Sequence, residues 1–156
     1  MYKSSPLVNH DAPIQIGKQE IALVGNPNAG KTTLFNLLTG AHQRTGNWPG
    51  VTVERKEGSC TINGAEWSVI DLPGTYSLDF SETSSDESVA REFVHSHPDT
   101  LYLNIVDAST LERGLYLTLQ LRELNAPLFV LMNMMDIAEK RGMTLDITAL
   151  EQRLGC

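Results

Sequence analysis

The chain has 156 residues, 41% of them hydrophobic and 20% charged, with a formal net charge of −7 at pH 7. That is the length of one domain with apolar content for a real core, and its acidic balance disfavours a general nucleic-acid binder, which needs clustered Lys and Arg. No stretch approaches the eighteen or so continuous apolar residues of a membrane span, residues 1–18 lack a signal-peptide apolar core, and Cys60 and Cys156 form no C-x-x-C pair, which fits reduced thiols.

In chain order, residues 1–18 read as a loose polar lead-in carrying Pro6, Asn9, Asp11 and Pro13. Glu20–Gly25 reads as a buried strand, and Lys31–Thr39 as a helix stopped by Gly40. Between them, Gly25-Asn-Pro-Asn-Ala-Gly-Lys-Thr32 fits G-x-x-x-x-G-K-[ST] in the strand–loop–helix setting that phosphate binding requires. The glycines let backbone N–H groups turn inward around phosphates, and the helix adds the positive end of its dipole. Lys31 would reach the β- and γ-phosphates, and Thr32 would place its hydroxyl on Mg2+.

Ala41 to Thr52 is a polar connection holding Gly46, Pro49 and Gly50, of a length that is usually functional in compact domains. Either Thr45 or Thr52 could complete a Mg2+ shell there when a γ-phosphate is present; spacing does not separate them. Val53–Ile62 and Glu66–Asp71 read as strands joined across Asn63-Gly64, a tight-hairpin signal. Asp71-Leu-Pro-Gly74 closes the second strand, where a carboxylate can hold Mg2+ through water and the Gly74 N–H can bind a γ-phosphate oxygen. The acid-rich stretch from Asp79 to Glu87 reads as a solvated switch loop.

A helix over about Glu87–His95, a buried strand Thr100–Val106, a helix Leu111–Leu124, a buried strand Leu128–Met132 and a short helix Leu145–Leu154 stopped by Gly155 complete the chain. Buried strands separated by helices indicate an α/β fold: a mostly parallel sheet with helices on both faces and one antiparallel edge strand from the hairpin. Ligands of such sheets sit at the carboxyl ends of the strands. Asn133-Met-Met-Asp136 falls at such an end. Its aspartate can accept from both N1–H and the N2 amino group of guanine, a donor pair that adenine lacks. Asn133 can bond the base and tie neighbouring loops together. Met134 stands where the usual N-K-x-D pattern has lysine, and its flexible thioether stem can cover the purine ring.

The ordered set resembles the translation-factor-related class of small P-loop GTPases. Gly25-Asn-Pro-Asn-Ala-Gly-Lys-Thr-Thr-Leu-Phe-Asn36 followed by Gly46-Asn-Trp-Pro-Gly-Val-Thr-Val-Glu-Arg-Lys-Glu-Gly58 is similar to the ferrous iron transport protein B (FeoB) family. Asp71-Leu-Pro-Gly-Thr-Tyr-Ser77, Val106-Asp-Ala-Ser109, Leu111–Leu121 and Asn133–Lys140 fit the same family. The resemblance covers nearly everything from Glu20 to Cys156.

That resemblance implies a Ras-like GTP-binding (G) domain over residues 19–156, on the cytoplasmic face of the bacterial inner membrane in a transporter of ferrous iron, with this chain alone soluble. It implies nucleotide contacts from Gly25, Asn26, Pro27, Asn28, Ala29, Gly30, Lys31, Thr32 and Thr33. Further contacts are implied from Gly50, Val51 and Thr52, from Asp71, Leu72, Pro73 and Gly74, and from Asn133, Met134, Met135 and Asp136. Thr52 matches the family's switch threonine, so Thr32, Thr52 and Asp71 are the implied Mg2+ set. Asn28 is the implied K+ ligand, completed by carbonyls around Gly46 to Trp48. A cation among phosphate oxygens neutralises transition-state charge much as an arginine finger does. Asn28, Lys31, Thr52 and Gly74 are the residues expected to act in hydrolysis.

Thr75 follows Gly74 where many GTPases have a water-orienting glutamine, so slow turnover is expected and no general base is assigned. Set against the family, the G domain over residues 19–156 is expected to be C-terminally truncated, lacking the last strand, the guanine loop and the closing helix. The remaining partners implied are GTP or GDP and the helical regulatory and membrane-spanning parts of the transporter, with no nucleic acid. Two competing readings are a GTP/GDP sensor with negligible hydrolysis and an RNA- or ribosome-associated GTPase.

Overall fold

A computed structural model describes residues 19–79 and 84–156. The polar lead-in of residues 1–18 and the centre of the acidic stretch, residues 80–83, lie outside the described residues. Among the described residues six strands form one sheet in the order β2-β3-β4-β1-β5-β6: β1 Glu20–Gly25, β2 Gln43–Asn47, β3 Glu54–Ile62, β4 Ala65–Asp71, β5 Leu101–Asp107 and β6 Leu128–Asn133. β4, β1, β5 and β6 run parallel, and β3 runs antiparallel to β2 and β4. The helices are α1 Lys31–Thr39, α2 Ser85–Ser96, α3 Leu111–Glu123, α4 Met135–Lys140 and α5 Ile147–Leu154.

β1 shows why the sheet is covered on both faces. Side chains alternate across a strand, and Ile21 and Leu23 enter one buried cluster with Phe35 of α1, Val69 and Ile105. Ala22 and Val24 enter the other, with Val89 and Phe93 of α2, Leu117 and Leu121 of α3, and Tyr102. A strand buried on both sides must be apolar throughout, which is the run the sequence carries.

Local chemistry fixes the element ends. Asn63 and Gly64 both take left-handed backbone (φ 51° and 79°), as the tight hairpin between β3 and β4 requires. The Ser84 hydroxyl accepts from the Glu87 N–H (3.3 Å) while the Glu87 carboxylate accepts from the Ser84 N–H, a reciprocal cap that starts α2. Gly114 lets α3 lie close on β5; a Cβ there would sit 2.5 Å from Val106 Cγ1.

The sheet departs from expectation in one place. Residues 43–47, read as connection, form β2, pairing Gly46 with Arg55 and Asn47 with Glu54. β3 is therefore one strand in from the edge, and β2, exposed along its whole length, is the edge. α4 is likewise an additional short helix immediately after β6.

Candidate functional site: the carboxyl edge of the parallel strands

Because β1, β4 and β6 are parallel, Gly25, Asp71 and Asn133 all leave the sheet at the same edge. Gly25 sits so close to β5 that a Cβ would lie 2.5 Å from the Ile105 carbonyl oxygen. The chain then turns through Asn26, which is buried and leaves Oδ1 without a partner, and Asn28, which is exposed with φ 64°. Ala29 N–H donates to the Asn26 carbonyl (3.2 Å). α1 begins after Gly30 (φ 104°) with no side-chain cap and no acid in its first turn. Its opening N–H groups are thus left for an external anion. Thr32 and Thr33 are exposed on that first turn.

Lys31 is buried, and burial pulls its ammonium pKa down against the opposing field of Asp71. Asp71 is buried too. Its pKa is raised by burial, opposed by Lys31 and then Lys56, with Glu54 adding to the rise. Asp71 Oδ1 is buried with no hydrogen-bond partner. A buried lysine beside an orphaned carboxylate oxygen fits an anion and a hydrated divalent cation held together.

The segment after Asp71 lies against the phosphate loop. Leu72 N–H donates to the Leu23 carbonyl (3.1 Å) and Thr75 N–H to the Gly25 carbonyl (3.1 Å). A Cβ at Gly74 would stand 3.0 Å from Pro27 Cα. Leu72 is buried and Pro73 half-buried. Thr75 is fully buried, and its hydroxyl donates to the Ser77 carbonyl (2.6 Å), holding a local turn rather than facing outward.

The third motif reaches the same place. Asn133 Nδ2 donates to the Ala29 carbonyl (3.0 Å), as the expected tie between loops. Met134 caps α4 with left-handed backbone (φ 59°), and Met134 and Met135 are half-buried. Asp136, on the first turn of α4, is exposed and pairs with Lys140 Nζ at 3.4 Å, so its carboxylate stands at the surface rather than in a closed pocket.

The turn from Trp48 to Val53 is held elsewhere. Trp48 is buried edge-on to Phe93 of α2 (centroids 5.6 Å) with the Arg55 guanidinium 4.7 Å from its ring centre. Trp48 N–H donates to the Val53 carbonyl, and its own carbonyl accepts from Val51 N–H. Gly50, Val51 and Thr52 are the exposed crown of this turn. Among the described residues no hydrogen bond or ion pair joins Thr52 to the phosphate loop or to Asp71.

Sequence reasoning missed the fastening of Asp79, whose carboxylate accepts from Tyr116 and Gln120 of α3. Separations of 37 and 41 residues leave no local signal. A broad open cavity of about 830 Å³, bordered by Gln19, His42, Arg44, Glu57 and Glu66, lies toward the amino ends of the parallel strands, away from these motifs.

The family described as "Ferrous iron transport protein B" matches residues 19–156. The Fe(2+) transporter FeoB of Salmonella typhimurium strain LT2 is 57% identical over 141 residues, covering 89% of this chain and 18% of that protein. The chain thus spans about a fifth of the length of the curated relatives it matches. The cytosolic domain of L. pneumophila FeoB superposes with a TM-score of 0.83 at 51% identity, over 88% of this chain and 59% of that one. The cytosolic domain of T. maritima FeoB in its GMPPNP form gives 0.80 at 44% identity, over 87% and 53%. A mostly parallel six-stranded sheet, a phosphate loop and this degree of identity lead to one assignment: the chain belongs to the ferrous iron transport protein B family.

Proposed function

We propose that residues 19–156 bind GTP and hydrolyse it slowly, as the nucleotide switch of a bacterial ferrous iron transporter working at the cytoplasmic face of the inner membrane. The observation that carries the reading is the Asn133–Ala29 hydrogen bond, which joins the loop bearing Asp136 to the loop bearing Lys31. A purine and a phosphate chain would thereby be addressed by two loops tied to each other. The GMPPNP form of the T. maritima relative supports it.

The phosphates are taken by the free N–H groups at the start of α1 and by Lys31. Asp71, through its unpartnered Oδ1, and the Thr32 hydroxyl would hold Mg2+, with Thr52 joining from the first switch stretch. The ion supplies charge neutralisation at the phosphoryl oxygens. Asn28 would be the side-chain ligand of K+. The Gly46 backbone is paired to β3 and the Trp48 carbonyl is engaged by Val51, so gathering those carbonyls about a cation requires β2 to reorganise. Gly74 would offer its N–H to the γ-phosphate.

A second reading, a GTP/GDP sensor with negligible hydrolysis, is favoured by the Thr75 hydroxyl being committed to Ser77. Phosphate release at saturating GTP, in K+ against Na+, decides: turnover stimulated by K+ supports the switch enzyme, and none in either salt supports the sensor.

A further inference from the structure

The segment after Gly74 is fastened to α3 by contacts outside the nucleotide motifs. Arg113, Tyr116 and Gln120 recur at i, i+3 and i+7 and so share one face of the helix. The Arg113 guanidinium lies 4.8 Å from the centre of the Tyr76 ring. Tyr116 donates its hydroxyl to Asp79 Oδ2 (2.8 Å). Gln120 uses both ends of its amide: Oε1 accepts from Leu78 N–H (2.8 Å), and Nε2 donates to Asp79 Oδ1 (2.9 Å). From α2, Arg91 donates to the Asp79 main-chain carbonyl (2.7 Å). Leu78, between these bonds, is buried in the core.

The other end of the segment is tied to the phosphate loop through Thr75 N–H and the Gly25 carbonyl. Five residues anchored at both ends, with an internal Thr75–Ser77 turn, have little slack. Displacing Asp79 therefore moves the backbone that carries Gly74.

We propose that Asp79, gripped by Tyr116 and Gln120, is a positioning residue that holds the Gly74 amide beside the phosphate loop and thereby sets the preference for a nucleoside triphosphate over a diphosphate. This rests on the nucleotide-binding reading above. Asp79 acts through the chain and touches no phosphate. The charged carboxylate makes each of its bonds stronger than a neutral pair would be, which suits a clamp whose own bonds lie partly open to water.

The test exploits the amide of Gln120. Gln120→Glu keeps its shape but presents an acceptor oxygen to the Asp79 carboxylate, turning attraction into repulsion. Adding Asp79→Asn reverses the polarity: the introduced amide can donate to the introduced carboxylate, whose other oxygen still accepts from Leu78 N–H, and its carbonyl can accept from Tyr116. Calorimetry on the full chain with GMPPNP and GDP should show Q120E losing about tenfold in triphosphate affinity, the scale of one charge-assisted hydrogen bond, with GDP affinity unchanged. The double variant should recover the wild-type ratio.

Tyr116→Phe, a milder change, should move the ratio the same way by about threefold. An unchanged ratio in Q120E overturns the clamp alone. Equal losses for both nucleotides, unrestored by the second change, also overturn it, since the contact then only holds the fold. Wild-type chain that binds neither nucleotide overturns the nucleotide reading and the clamp with it.

Discussion

Asn133 reaches across 104 residues of sequence to donate its side-chain amide to the Ala29 carbonyl, 3.0 Å away. The contact works because Gly30, one residue on, has no side chain: a Cβ there would lie 2.3 Å from Asn133 Nδ2. Asn133→Ala should cost about 1 kcal/mol of stability for the lost hydrogen bond and weaken GTP binding, because the two loops then move independently. Gly30→Ala should weaken GTP binding similarly, because the added Cβ pushes the Asn133 amide off the Ala29 carbonyl. Urea unfolding and calorimetry on both variants check this; unchanged affinity in both would contradict it.

Asp71 makes a pH prediction. Burial raises its carboxyl pKa despite Lys31 and Lys56, so the folded state holds this proton more tightly than the unfolded chain does. Its contribution to stability is then full below the ordinary aspartate pKa and is lost as pH rises through the folded value. Without nucleotide or Mg2+, wild type should lose stability relative to Asp71→Asn across that window, which opens at the ordinary value and extends upward. Urea melts over the acidic-to-neutral range measure the gap. A gap independent of pH would refute the assignment.

Trp48 anchors the turn that carries Thr52 by an aromatic contact with Phe93, yet its buried Nε1 has no partner. Truncation and replacement should therefore diverge. Trp48→Ala should cost about 3–5 kcal/mol for the emptied space. Trp48→Phe should cost clearly less, because it keeps an aromatic ring against Phe93, leaves a smaller void and removes an unsatisfied donor. Equal costs in thermal or urea unfolding would contradict the packing account.

Much of this arrangement is legible in the amino-acid sequence alone. The β1 run, the left-handed Asn63-Gly64 turn and the Gly40 and Gly155 stops are local signals, and each produced its expected element. The phosphate loop was legible because its meaning is carried by eight consecutive residues. β2 was not: Gln43–Asn47 is polar, exposed throughout and lacks alternation, since an edge strand with no buried face has nothing for a pattern to record. α4, six residues long, is too short to show a helical period. The Asp79 grip joins residues whose proximity exists only once α3 packs on β5.

The base selection proposed for Asp136 offers the most direct measurement. Guanine presents two donors, N1–H and the N2 amino group, to a carboxylate; xanthine carries a carbonyl in place of the amino group, which an asparagine amide matches and a carboxylate repels. Titrating GTP, XTP and ATP into wild type and Asp136→Asn by calorimetry should show wild type preferring GTP and the variant shifting toward XTP, with ATP weak for both. Equal affinity of wild type for ATP and GTP, or a variant that keeps the wild-type order, would contradict the account.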